Sequence, residues 1–424
     1  MEYTEYDVVI AGCGMAGAVA GLVALKDNLR VCIVEKKKKE FIGKKICGEL
    51  MPRKMLTLLE NEVGISFKGY PLKGLEVCSA RGHRAHVPEL LCTIDRWQIG
   101  QVLTEELVRR GAEVVQGTVT GPVIESCVKG VKTKDSLFSC AVTIDCSGVS
   151  SVLRRKVFSE PEFLGLTYKE NLILKEPVTF EYAQLIFDMG MIPSGYAWCF
   201  PKTEYELNVG VGGLAHCQTS LKEKFENVVN ALGVQVERRE HSGFGVLPLG
   251  RPLPSAVYPG LLVCGDAAHQ VNPLTGEGIA PAITAGVYAG KTAVEAVENN
   301  DVSVERLWKY NCDFAREYGI KHAPLAVARD FLISLSDEEL DYFLKNVVTG
   351  DDLGQLIKGR VTVEGMRKVK TFFKNWRKVR LLYRLYSVFK VMKEIKALYR
   401  HYPQDPEGLH SWQQLLDSYL GKKV

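Results

Sequence analysis

Apolar residues fill the chain from Tyr6 to Ala11, the run breaks at Gly12-Cys13-Gly14, and small and apolar residues resume from Met15. That order predicts a buried parallel strand, a tight turn and a closely packed helix. A second short apolar run, Val31-Cys32-Ile33-Val34, ends on Glu35, and a third, Leu261-Leu262-Val263-Cys264, ends on Gly265-Asp266 before the small-residue helix predicted from Ile279. In the middle of the chain Phe180 to Met189 and Glu206 to Gly213 alternate or run apolar as antiparallel strands do, flanking Pro193 to Pro201. Near the end the apolar spacing changes to steps of three and four at Phe372, Trp376, Val379, Tyr383, Tyr386, Phe389, Met392, Ile395 and Tyr399, which predicts an amphipathic helix. No run of about 18 uncharged apolar residues occurs, so no membrane-spanning helix is expected.

The first strand, turn and helix carry specific chemistry. Gly12 permits the tight turn, Gly14 lets backbone approach a pyrophosphate, and Gly17 allows the helix to lie close to the sheet. The helix from Met15 points its positive end at the phosphates. Glu35 stands where a carboxylate accepts from ribose hydroxyls, and its charge disfavours a 2'-phosphate, hence NADP, in this slot. The first turn leaves NAD and FAD both open; a carboxylate at a strand end, as at Asp266, can accept from a ribityl hydroxyl, and the amides opening the helix after Pro273-Leu274-Thr275-Gly276-Glu277-Gly278-Ile279 can face the pyrimidine edge of a flavin, where reduction accumulates negative charge.

Composition adds bounds. A chain of 424 residues with 46% hydrophobic residues buries a large core and suggests two or three domains. The net charge of +4 gives no case for a nucleic-acid partner. The basic excess gathers late, in Lys374, Arg377, Lys378, Arg380, Arg384, Lys390, Lys393, Lys396 and Arg400, with Glu394 the only acid from Arg367 to Arg400. A basic helix with aromatic edges suits an anionic lipid surface; packing on the protein body with solvated lysines, or docking of an acidic electron donor, are the other readings of it. The first strand begins too near Met1 for a signal peptide, so a cytoplasmic protein with peripheral membrane contact is expected. Twelve cysteines include no C-x-x-C pair, which predicts reduced, mostly buried thiols and no metal site.

Together these segments resemble the para-hydroxybenzoate hydroxylase superfamily of flavoproteins. Asp95-Arg96 before the predicted helix Trp97 to Arg110 matches that family's Asp-Arg pair, and Val142 to Gly148, with Ser151 and Arg154 following, matches its Asp-Gly segment except that Cys146-Ser147 separates Asp145 from Gly148. The resemblance implies FAD, contacted by Ala16, Cys47, Gly48, Arg96, Val119, Thr120, Asp145, Gly148, Gly265, Pro273, Gly276, Gly278 and Ile279 besides the residues above. Two further motifs, Lys44-Lys45-Ile46-Cys47-Gly48-Glu49 and Pro193-Ser194-Gly195-Tyr196-Ala197-Trp198-Cys199-Phe200-Pro201, resemble the geranylgeranyl reductase branch, more weakly extended through Leu335 to Leu340. By that resemblance C-G-E lies beside the isoalloxazine, and Tyr196, Trp198 and Phe200 line a tunnel for an isoprenoid lipid. Reducing an isolated alkene needs a hydride, a nearby acid and little water. Cys47 is the first choice for donating the proton or positioning the alkene, with Tyr196 and His269 in reserve.

The expected fold is α/β: a Rossmann-like FAD-binding domain from 1–65, 92–160 and 255–300, an inserted antiparallel-sheet substrate domain from 66–91 and 161–254, and a C-terminal helical region, 301–424, with the basic amphipathic helix. The expected function is FAD-dependent saturation of geranylgeranyl chains in archaeal-type ether lipids. An FAD-dependent monooxygenase or halogenase is the nearest alternative, although Tyr196 and Phe200 depart from the halogenase W-x-W-x-I-P pattern. An electron-transfer flavoprotein dehydrogenase would need an iron-sulfur cysteine cluster, and none is spaced for one. A lipid carrier with a vestigial flavin fold conflicts with intact Gly12, Arg96 and Asp266. With no second nucleotide fingerprint, ferredoxin, a reduced deazaflavin and NADPH stay open as electron donor, as do lipid headgroup and oligomeric state.

Overall fold

The computed structural model describes residues 2–357 and 379–421. The chain opens with β1 (Glu2–Ala11), α1 (Met15–Ala24) and β2 (Val31–Glu35). Then come β3 (Leu50–Pro52), α2 (Lys54–Val63), β4 (Tyr70–Ser79), β5 (Arg84–Thr93) and α3 (Arg96–Arg109), which Asp95 caps by accepting from the Gln98 amide at 2.8 Å. Next are β6 (Glu113–Gln116), β7 (Gly121–Ile124), β8 (Val128–Lys132), β9 (Ser136–Asp145) and the short α4 (Arg154–Val157). The middle of the chain supplies β10 (Leu164–Leu174), β11 (Tyr182–Phe187), β12 (Gly195–Pro201), β13 (Glu206–Leu214), α5 (Leu221–Leu232) and β14 (Val236–Pro248). It returns through β15 (Val257–Tyr258), β16 (Leu261–Val263) and α6 (Ile279–Glu298), and ends in α7 (Val304–Phe314), α8 (Ile320–Leu332), α9 (Asp337–Tyr342), α10 (Gly350–Ile357), α11 (Val379–Arg400) and α12 (Leu409–Leu420).

The strands form two eight-stranded sheets. The first runs β15-β16-β9-β1-β2-β6, with β16, β9, β1, β2 and β6 parallel, and β8 added to β9 antiparallel. Its central strands are covered on both faces, so β2 is buried along its whole length and every residue of α1 is buried. The second runs β14-β10-β13-β12-β11-β4-β5-β3 and is antiparallel except where β11 meets β4. The mixed α/β architecture with a Rossmann-like sheet, a second curled sheet and C-terminal helices is the one the sequence predicts. Leu50–Pro52, inside the 1–65 segment, pairs with β5 and belongs to the second sheet.

The basic helix keeps the later half of its expected stripe: in α11 Phe389, Met392, Ile395 and Tyr399 pack against the body, joined by Leu381, Leu382, Leu385, Val388, Val391 and Leu398, whereas Tyr383 is 64% exposed. Leucines not counted in the aromatic stripe take the inner face, because α8 offers an apolar wall there. Phe372, Lys374, Trp376, Arg377 and Lys378 lie outside the described residues. Among the described residues no helix is long and apolar enough to cross a membrane.

Candidate functional site

The turn after β1 is shaped by contacts that exclude side chains. Gly12 has φ +102°, and a Cβ there would lie 2.5 Å from the Cys146 carbonyl oxygen; a Cβ at Gly17 would lie 2.0 Å from the Gly12 carbonyl oxygen. A Cβ at Gly14 would meet nothing within 4 Å, because that face opens into a cavity of about 610 Å³ that Ala16 also lines. Glu35 is buried on the cavity wall, where its carboxylate accepts from the Cys13 amide at 2.7 Å and the Lys37 amide at 2.9 Å. Each oxygen keeps a further lone pair for a hydroxyl partner.

Across the cavity, Gly265 and Asp266 close β16. Burial works against ionisation of Asp266, but Lys45 at 2.5 Å outweighs it and holds the carboxyl below its usual range. The turn is braced from behind: Gln270 accepts from the Gly265 amide at 2.6 Å and donates to the Tyr310 hydroxyl at 2.9 Å, which donates to the Val263 carbonyl at 2.8 Å. Lys45, Gln270 and Tyr310 escaped the sequence reading as site residues, although Lys45 stands in a motif that reading singled out.

Gly148, Gly276, Gly278, Ile279, Val119 and Arg96 line the same cavity. Five expected positions do not; of these Gly17 is turned onto the Gly12 carbonyl. Asp145 is fully buried and spends its carboxylate on its own loop, accepting from the Ser147, Leu153 and Arg154 amides and the Ser147 hydroxyl. It shapes the loop that presents Cys146 to Gly148 and does not itself line the cavity. Thr120 is tied by its amide and hydroxyl to the Lys132 carbonyl. Pro273 lines a smaller neighbouring cavity of about 50 Å³. His269 is buried beside Gly250, and burial, with Arg154 adding to it, lowers its pKa to about 4. His269 thus lies outside the cavity that Cys47 and Tyr196, the other two candidates for proton donation, line.

The two remaining motifs interlock. A Cβ at Gly48 would lie 2.9 Å from the Phe200 ring, so only glycine lets the Cys47-Gly48-Glu49 loop close on β12. Asn208 on β13 links them: its amide donates to the Cys47 carbonyl at 2.9 Å and to Glu49 at 3.3 Å, and its oxygen accepts from the Trp198 indole at 3.0 Å. Glu49, at φ +60°, also accepts from the Arg96 amide at 3.1 Å and pairs with Lys202 at 2.5 Å. The Cys47 sulfur accepts from the Glu49 amide at 3.4 Å and the Arg96 guanidinium at 3.6 Å. Tyr196 donates to the Thr275 carbonyl, and burial pushes its pKa up. Beyond Cys47 the wall turns apolar, with Leu75, Val87, Leu185, Trp198 and Phe200.

The donor set suits a dinucleotide flavin. Gly14 and Gly148 leave room that a side chain would fill, α1 aims its N-terminus at that room, and Lys45 and Arg96 place cations beside it. What lies past Cys47 is a mainly apolar slot.

A family model described as the geranylgeranyl reductase catalytic domain matches residues 165–241. A digeranylgeranylglycerophospholipid reductase from Sulfolobus acidocaldarius is 28% identical over 99% of this chain and 98% of its own length. One from Methanosarcina acetivorans is 30% identical over 79% of this chain and 87% of its own. Among solved structures, a geranylgeranyl bacteriochlorophyll reductase-like protein from Thermoplasma acidophilum shares the fold, with a TM-score of 0.74 at 23% identity over 93% of this chain and all of its own.

Proposed function

The chain belongs to the geranylgeranyl reductase family, and from that premise we propose that it is an FAD-dependent reductase that saturates the geranylgeranyl chains of archaeal-type ether phospholipids. The observation that carries this reading is the closure of Cys47-Gly48-Glu49 onto Phe200 inside a cavity continuous with the Gly14 turn. Bound FAD supplies hydride chemistry at an alkene carbon. The Gly12 to Gly17 turn would hold its pyrophosphate, Glu35 a ribose, Asp266 the ribityl chain, and Arg96, Val119, Gly148, Gly276, Gly278 and Ile279 the remaining contacts.

Tyr196, Trp198 and Phe200 exclude water from the alkene, which the absence of an activating carbonyl makes necessary. Cys47, whose sulfur accepts from Arg96 and the Glu49 amide, fixes the near wall against which the chain lies. Electrons come from an external donor, with ferredoxin, a reduced deazaflavin and NADPH all open. The solvent face of α11 carries Arg380, Lys390, Lys393 and Arg400, which suits peripheral contact with the anionic membrane that holds the lipid.

The test is to reduce the flavin-loaded protein with dithionite, add a digeranylgeranyl phospholipid without oxygen, and follow the lipid by mass spectrometry. Gain of two hydrogens per double bond is expected. A protein that holds reduced flavin yet leaves the lipid unchanged, or that needs oxygen or halide to turn over, overturns the reading.

A further inference from the structure

Glu277 is a carboxyl on the cavity wall that the contacts described above leave unused. Its loop is rigid: Asn272 donates its amide to the Glu277 carbonyl at 2.8 Å and accepts from the Gly276 amide at 2.9 Å, while the Asn272 side chain accepts from the Leu274 and Thr275 amides. The same loop takes the Tyr196 hydroxyl on the Thr275 carbonyl, so Glu277 is held next to the aromatic wall. Its Oε1 is shut off from solvent and, among the described residues, has no hydrogen-bond partner. An enclosed oxygen with neither donor nor solvent contact disfavours the carboxylate ion, whereas a carboxylic acid needs no counter-charge.

The charged and titratable groups facing it come from three sides. Glu89 projects from β5, Lys54 from α2, and Lys321 from α8, with Tyr318 in the turn before α8. Burial is the main influence; Glu89 adds to it and the two lysines oppose it, leaving the Glu277 pKa at about 7. Near neutrality the group therefore both holds a proton and can release it, the condition under which a general acid works best.

The other candidates for that role are committed elsewhere. The Cys47 sulfur acts as acceptor, the Tyr196 hydroxyl is bound to a carbonyl with a raised pKa, and His269 is neutral and outside the cavity. Resting on the reductase reading, we infer that Glu277 is the acid that protonates the alkene. The Glu277 O–H bond breaks as a C–H bond forms at one alkene carbon and the π bond opens. The hydride added to the other carbon comes from reduced flavin, which is thereby oxidised. The carboxylate left behind regains its proton from water before the next double bond.

The experiment uses full-length, flavin-loaded protein, reduced with dithionite and mixed with a digeranylgeranyl phospholipid, with flavin reoxidation followed in a single turnover. Glu277→Gln should slow reoxidation by about 100-fold or more with flavin content unchanged, and Glu277→Asp should restore part of it. The wild-type rate should fall as pH rises through about 7, and the residual rate of Glu277→Gln should not. Infrared titration of the same protein without lipid reads the group independently: a protonated-carboxyl band should fade over that pH range and be missing in Glu277→Gln. A Glu277→Gln rate equal to that of a competent wild type, or the lack of that band, overturns the inference. Failure of the wild type itself to reoxidise on lipid overturns the reductase reading instead.

Discussion

Asn208→Ala tests whether the two motifs act as one unit. Asn208 is fully buried, and its side chain holds the Cys47 carbonyl at 2.9 Å, the Glu49 carboxylate at 3.3 Å and the Trp198 indole at 3.0 Å. Each buried group left without its partner costs about 1–3 kcal/mol, and the three share one residue, so about 3–5 kcal/mol is expected in place of their full sum. That is a large part of a typical stability of about 5–15 kcal/mol. The assay is urea unfolding, read as a lowered midpoint at constant slope, beside flavin content and lipid reduction. Asn208→Asp sharpens the test, because it keeps the acceptor for Trp198 and puts a second carboxylate beside Glu49. At the 3.3 Å separation of the native contact, two such charges repel by about 5 kcal/mol for an effective dielectric near 20, before Lys202 offsets part of it. Asn208→Asp should therefore be much weaker at pH 8 than at pH 5, where one carboxyl takes a proton. If Asn208→Ala loses less than about 1 kcal/mol and still reduces lipid at the wild-type rate, the link is incidental.

Arg96→Ala should lower flavin retention far more than folding stability, checked by flavin absorbance after gel filtration and by thermal melting; near-full flavin occupancy would remove Arg96 from the site. Lys390→Glu combined with Lys393→Glu, both on the solvent face of α11, should abolish salt-sensitive binding to vesicles containing anionic lipid, since each cation near such a surface contributes about 1 kcal/mol. Burial lowers the pKa of His269 to about 4 and of His322 to about 3, so the unfolded chain binds more protons than the fold once pH drops below about 6.5. Stability should then fall by about 1.4 kcal/mol per pH unit for each histidine between about pH 6.5 and 4, and His322→Leu should flatten that slope in urea titrations at several pH values.

Features with a local cause were legible in the residues. The spacing of the Gly12 to Gly17 turn reflects the approach of Gly17 to the Gly12 carbonyl, and Gly265-Asp266 closes a strand whose apolar run is continuous, so spacing revealed both, although the Cys146 carbonyl from the end of β9 also enforces glycine at 12. The Cys47 and Tyr196 motifs could each be recognised, but that Gly48 abuts Phe200 and that Asn208 ties Trp198 to Cys47 follows from the pairing of β12 with β13 and the path of the loop before β3. Asp145 shows the converse: its position in a motif suggested a ligand, yet the direction of its carboxylate was decided by the loop folding back over it. In α11 the three-and-four spacing named the helix, while α8 decided that Leu382 faces inward and Tyr383 outward. Glu277 could be read as a residue, but not as an acid. Its protonation depends on exclusion of water and on Glu89, Lys54 and Lys321 arriving from β5, α2 and α8. Backbone turns and apolar periods are set by neighbours along the chain, whereas hydrogen-bond partners and charge states are set by neighbours in space, which only the packed sheets and helices bring together.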